Sequence, residues 1–194
     1  MSRRMTPFAA LLVFSLLAAV VSANEVTYDW SLVHGSDNGS EWELWYDLVP
    51  NRKYVTFEDL VAKGTVIFDS ATVFGWTDDE VAGLYFETSD ASKSLGIRSV
   101  NRTIPYNGER FFKAIIKLED LQGPSGGFHV EVYYYAQNGS YLGKNDILAI
   151  GGTADWQEYT AELTPPAGTS TFAVGILLAN STGRVAFARM WMEK

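Results

Sequence analysis

The chain has 194 residues, a formal net charge of −8 and no cysteine. Disulfide scaffolds, thiol nucleophiles and a lipid anchor on an N-terminal cysteine are thereby excluded, so stability must come from packing, hydrogen bonds or a metal. The acidic balance repels nucleic acid and anionic lipid, which excludes a nucleic-acid partner and leaves neutral glycans, cations or proteins.

In chain order, residues 1–23 (MSRRMTPFAALLVFSLLAAVVSA) place Arg3 and Arg4 before an apolar run and small residues, the plan of a secretory signal peptide. Its removal takes two positive charges and no acid, moving the net charge from −8 to −10. The apolar run is shorter than the roughly 20 residues of a membrane span, and no later segment replaces it. A secreted, extracellular protein of one domain, residues 24–194, is expected. Residues 51–63 (NRKYVTFEDLVAK) come nearest to a helical pattern, weakly, with Phe57, Leu60 and Val61 on one side.

Period-two runs dominate the rest: VTYDWSLV, WELWYDLV, GTVIF, AGLYFETS, SLGIRSV, RFFKAIIKL, FHVEVYYYA, DILAI, WQEYTAEL, TFAVGILLA and RVAFARMWME. Turn residues separate them, among them Asn107-Gly108, Asn138-Gly139 and Gly151-Gly152. Short strands at this spacing predict an all-β fold, an antiparallel sandwich or barrel. Because successive side chains of a strand point to opposite faces, each run can be sorted. In residues 128–136, Phe128, Val130, Val132 and Tyr134 form an apolar face, and His129, Glu131, Tyr133 and Tyr135 form the opposite, mixed one. Phe112, Ala114, Ile116 and Leu118, and likewise Phe172, Val174, Ile176 and Leu178, are apolar faces of the same kind. In the last run Val185 and Phe187 share one parity but Met190 and Met192 the other, which predicts a bulge. Four Asn-x-Ser/Thr sequons, at Asn38, Asn101, Asn138 and Asn180, are candidate glycosylation sites, although Asn, Gly and Ser are equally turn chemistry.

From about Arg110 onward, the ordered set RFFKAIIKL, VEVYYYAQNGSYLG, GGTADWQEYTAEL, TPPAGTSTFAVGILLA and TGRVAFARMWME resembles the galactose-binding-like jelly rolls, the β-sandwich carbohydrate-binding modules of secreted glycosidases. The resemblance covers roughly the last 85 residues and leaves residues 24–69 unmatched. It implies an antiparallel β-sandwich of jelly-roll type, a polysaccharide or glycan partner, and a core position for Trp156. The paired aspartates that help such modules hold a structural calcium are replaced here by Ala188 and Arg189, which weighs against that site. No other cofactor is implied, and the metal ligands are unknown.

Sugar recognition needs aromatic rings for the C–H faces of a pyranose and planar polar groups for its hydroxyls. His129, Glu131, Tyr133 and Tyr135 supply both from one strand, and Lys113 and Lys117 would add donors if their strand pairs alongside. The same residues equally fit a solvated sheet face or a second small core. Trp30, Trp42, Trp45 and Tyr46 fit either a cap on the sandwich or a cleft lining. For catalysis the inventory is thin: His34 and His129 are the only histidines, and no nucleophile elbow, zinc helix or phosphate loop occurs. His129 with Tyr133 or Tyr135 is the alternative catalytic set, as base and acid of a polysaccharide lyase; a glycosidase needs two opposed carboxylates, which the many acidic residues do not single out. The residues 37–43 and 77–80 are acidic stretches without calcium-loop spacing. The expectation is therefore a non-catalytic, lectin-like carbohydrate-binding protein, with a small polysaccharide-active enzyme and an extracellular structural or adhesive protein meeting a protein partner as alternatives.

Overall fold

The computed structural model describes residues 25–31, 42–48, 51–56, 65–77, 81, 83–99, 104–124 and 127–194, with the backbone alone for 31, 42–48, 51–56 and 66–69. The signal segment, His34, Asn38, Asn101, Phe57, Leu60 and Val61 lie outside them, as do most of the acidic stretches 37–43 and 77–80.

Among the described residues fourteen strands follow in order: β1 (Val26–Ser31), β2 (Trp42–Leu48), β3 (Asn51–Thr56), β4 (Thr65–Asp69), β5 (Thr72–Trp76), β6 (Leu84–Thr88), β7 (Ser94–Ser99), β8 (Ile104–Pro105), β9 (Phe111–Gln122), β10 (Phe128–Tyr135), β11 (Tyr141–Ile150), β12 (Gly152–Glu162), β13 (Thr171–Ala179) and β14 (Thr182–Glu193). They build two seven-stranded antiparallel sheets, one ordered β12-β9-β14-β6-β5-β4 with β1 beside β14, the other β11-β10-β13-β7-β2-β3 with β8 beside β13. The fold is an all-β jelly-roll sandwich. Residues 24–69, which the sequence resemblance left unmatched, contribute β1 and β4 to the first sheet and β2 and β3 to the second. Residues 51–56 are strand β3, paired along its length with β2, and not the start of a helix. β-branched Val55 and Thr56 with Tyr54 suit a strand once a neighbour satisfies the backbone, so pairing overrides the weak helical period.

The inner faces are the ones the alternation separates. Phe112, Ala114, Ile116 and Leu118 of β9 meet Phe128, Val130, Val132 and Tyr134 of β10 and Phe172, Val174, Ile176 and Leu178 of β13 in one buried core. Phe187 stacks on Phe86 within the first sheet at 5.6 Å and touches Phe128 of the second at 5.7 Å. On β14 the register shifts between Phe187 and Arg189, the bulge that lets Met190 and Met192 also point inward. Trp30 is core, stacked on Tyr28 at 5.6 Å. Trp156 is not: β12 is the edge strand, its register slips between Ala154 and Gln157, and the half-buried ring lies where a Cβ on Gly83 would come within 2.8 Å of it.

The outer faces differ sharply in character. On the first sheet Arg184 lies over Tyr85 at 4.3 Å while bonding Glu87 and Glu119, and Trp191 is overlaid by Arg189 at 4.7 Å and Lys113 at 5.9 Å. Each of these rings is thus covered by the protein's own cation. The second sheet leaves tyrosines beside an open groove.

Candidate functional site

β10 supplies the wall of the groove. Its outward side chains are His129, Glu131, Tyr133 and Tyr135, all part-buried, because their alternates fill the core. β13 lies beside β10 in unbroken register, setting Glu131 opposite Gly175, Tyr133 opposite Ala173 and His129 opposite Leu177. β7 follows, with Arg98 opposite Gly175 and Gly96 opposite Leu177. Between the tall side chains of β10 and Arg98 the floor is therefore made of a glycine and an alanine. The result is a groove of about 410 Å³, lined by Glu131, Tyr133, Tyr135, Arg98 and the β13 backbone strip from Ala173 to Leu177.

Glu131 is the hub. Its Oε1 accepts from Lys144 Nζ at 2.5 Å and lies 3.5 Å from His129 Nε2, and its Oε2 accepts from the Tyr133 hydroxyl. Lys144 also reaches Asp146 Oδ1 at 2.8 Å. Burial by itself would raise the Glu131 carboxyl, yet the hydrogen bonds from His129, Lys144 and Tyr133 outweigh it and hold the group at about 2. The Tyr133 hydroxyl is pushed well above the usual phenol range, first by burial and then by the bond to Glu131. Burial works against the Lys144 charge, but its bonds to Asp146 and Glu131 prevail and raise it. A carboxylate locked in its charged form, with a phenol locked in its protonated form, is a fixed pattern of acceptor and ring.

Lys113 and Lys117 do not join this site. They lie on β9 in the opposite sheet, where Lys113 pairs with Glu193 at 3.2 Å and Glu158 at 3.6 Å, and Lys117 with Glu119 at 3.2 Å. β9 is followed in sequence by β10 but not paired with it, because the connection between them crosses from one sheet to the other. Among the described residues, Arg98 of β7 lines the groove and Lys144 of β11 pairs with its carboxylate. Asn138 and Asn180 are both exposed, and the Asn138 side chain accepts the Ser140 N–H at 3.0 Å within the β10–β11 turn.

Two places bear on metal binding. His129, Glu131 and Asp146 bring ligand atoms within 4.8 Å of one another, but the Lys144 ammonium stands between the two carboxylates and takes the position a cation would need. On β14, where the resembled modules carry their paired calcium-binding aspartates, Arg189 forms a two-pronged pair with Asp29 of β1, Nε to Oδ1 at 2.8 Å and Nη2 to Oδ2 at 2.5 Å. A guanidinium facing the carboxylate does not fit a calcium site, which needs several oxygens around the ion.

In fold, the chain is similar to β-sandwich carbohydrate-binding modules. Against the family 11 carbohydrate-binding module of the cellulosomal cellulase Lic26A-Cel5E of Clostridium thermocellum the TM-score is 0.50 at 9% identity, covering 86% of this chain and 95% of that one. The enzymatically active domain of tailspike protein 4 of bacteriophage CBA120 gives a TM-score of 0.47 at 11% identity, covering 83% of this chain but 21% of that chain. The CBM22-1–GH10 modules of endo-1,4-β-D-xylanase 10B of C. thermocellum give 0.41 at 14% identity, covering 68% of this chain and 26% of that chain. No protein-family model matches the sequence, and no curated protein matches it.

Proposed function

We propose that this is a secreted protein that binds a carbohydrate chain, without catalysis, in the groove between β10 and β7. The observation that carries the reading is the conjunction of an aromatic wall, Tyr133 and Tyr135, with the fixed Glu131 carboxylate and Arg98 over a floor opened by Gly175. Rings take the C–H faces of a sugar, the charged planar groups take its hydroxyls, and the missing side chain leaves the room. The jelly-roll fold is one that carries carbohydrate-binding modules, though fold alone does not fix function. Secretion rests on the leader-like first 23 residues.

The chemistry speaks against the lyase and glycosidase alternatives. The Tyr133 hydroxyl already donates to Glu131 and resists deprotonation, which makes it a poor acid for elimination, and His129 is not among the residues that line the groove. Glu131 is the one carboxylate among the described lining residues, whereas glycoside hydrolysis needs a pair flanking the bond.

The test is glycan-array or affinity-gel binding by the wild type, by Tyr133→Ala combined with Tyr135→Ala, and by Gly175→Trp, with melting temperatures as the check on folding. A Cβ at Gly175 meets nothing nearer than 3.7 Å, so the backbone accepts a side chain there and the indole fills the groove. Wild-type binding should fall by roughly tenfold per tyrosine removed and vanish with the tryptophan. Undiminished binding by the double variant would remove this face from consideration, and release of an unsaturated sugar from a uronate polysaccharide would favour elimination instead.

With Arg189 paired to Asp29, the docking of β1 should not require calcium. Chelation with EDTA is expected to leave the melting temperature unchanged, while Arg189→Ala costs about 0.5–1 kcal/mol in thermal unfolding, the range for a two-pronged but solvent-exposed pair. A drop on chelation would show that a metal contributes to the fold.

A further inference from the structure

We propose that the binding surface does not end at the Tyr133–Tyr135 wall but passes over it onto Tyr141 of β11, which forms an outer subsite for glycan chains of several residues. This rests on the carbohydrate-binding reading of the groove and names the kind of ligand that fills it: an extended chain and not a terminal sugar. Tyr141 is 57% exposed, more than any other large hydrophobic among the described residues, and the adjacent Leu142 is 36% exposed. An aromatic ring left this open beside a groove departs from the ordinary scatter of surface apolar groups, because it extends an existing aromatic strip. Its ring lies 6.0 Å from Tyr135 at 61° and 6.5 Å from Tyr133 at 50°, so the three tyrosines run without a gap from the groove to the sheet edge. Tyr141 does not line the groove itself; a ligand confined to the groove does not reach it, and a longer one crossing the wall does.

The backbone next to the ring is also held in place. β10 and β11 close through the Asn138-Gly139 turn, with Gly139 at φ 80°, its N–H bonded to Ala136 O at 2.9 Å and Ala136 N–H bonded to Ser140 O at 2.9 Å. Tyr135, on the other arm, is pinned through its carbonyl by Ser170 N–H at 2.8 Å. A bonded hairpin presents the ring with little backbone ordering cost on binding. The chemistry of the strip, rings flanked by the Glu131–Lys144–Asp146 polar row, is that of a sugar surface and differs from a purely apolar protein contact.

The experiment is isothermal titration of wild type, Tyr141→Ala and Tyr141→Phe with neutral, unbranched cello- and xylo-oligosaccharides of two to six residues, alongside the glycan array. Tyr141→Ala should weaken hexasaccharide binding about five- to tenfold while changing disaccharide binding less than about twofold, and Tyr141→Phe should restore the wild-type value. Equal losses at both lengths would mean that the ring acts by propping Tyr133 and Tyr135, and would overturn the subsite; so would no loss at either. Absence of wild-type binding to any glycan would instead overturn the reading of the groove and the subsite with it.

Discussion

Phe187→Ala is expected to lower stability by about 3–5 kcal/mol, the range for deleting a fully buried phenylalanine without collapse of the surrounding core. The ring is wholly buried and bridges the sheets, stacking on Phe86 at 5.6 Å in its own sheet and meeting Phe128 at 5.7 Å in the other. Phe86 in turn contacts Phe74 at 5.8 Å, so removal opens the middle of a row of four rings. It also sits beside the bulge that switches β14 from Phe187 to Met190 as the inward parity, a point where the backbone cannot slide to fill a hole without disturbing two neighbouring strands. With no disulfide to offset the loss, a domain whose total stability is of order 5–15 kcal/mol forfeits a large share. Thermal unfolding followed by circular dichroism should show a midpoint roughly 10 °C lower or more, with Phe187→Leu recovering most of it. A change below about 1 kcal/mol would mean that the joint between the sheets lies elsewhere.

The sequence carried the inner faces of this fold well and the neighbourhoods of the outer faces poorly. Alternation is a property of each strand alone, so Phe128, Val130, Val132 and Tyr134 separate from His129, Glu131, Tyr133 and Tyr135 without knowledge of any partner. Lys113 and Lys117 could not be placed that way, because whether β9 lies beside β10 is decided by the crossover between sheets. Lys144 and Asp146 were within reach. Counting outward along the two arms from Asn138-Gly139 sets Tyr133 against Lys144 and Glu131 against Asp146, and the structure has those pairs. A local bulge, where Tyr135 meets Tyr141 and Tyr134 meets Gly143, adjusts the turn and then restores the count. The feature that hides Tyr141 is different: it begins an edge strand of which only residues 147–150 form an apolar run, while Tyr141 and Leu142 at its start are exposed. Gly175 was visible as a gap in an apolar strand, but its meaning as groove floor depends on Arg98 and Glu131 standing on either side, which is register between distant segments.

Glu131→Gln should flatten the acid limb of the stability curve. In the wild type the folded carboxyl sits at about 2 against an ordinary value of 4.5, because His129, Lys144 and Tyr133 all bond the charged form more than burial opposes it. A carboxyl lowered by folding contributes stability that is fully present above the unfolded value and is lost as pH falls toward the folded one. The window is therefore from about 4.5 down to about 2, and the gap corresponds to at most roughly 3 kcal/mol, less whatever water at the groove mouth screens. The glutamine still accepts from Tyr133 but gives Lys144 no charge to pair with, leaving that ammonium to Asp146. Denaturant unfolding at a series of pH values should accordingly find the variant weaker at neutral pH and the two proteins converging as pH approaches 2. Parallel curves across the window would mean that Glu131 is not the fixed acceptor of the groove. The same titration bears on function: where Glu131 takes a proton it loses its hold on Lys144 and weakens its bond from Tyr133, so glycan affinity should fall with the same acid midpoint in the wild type and lose that midpoint in the variant.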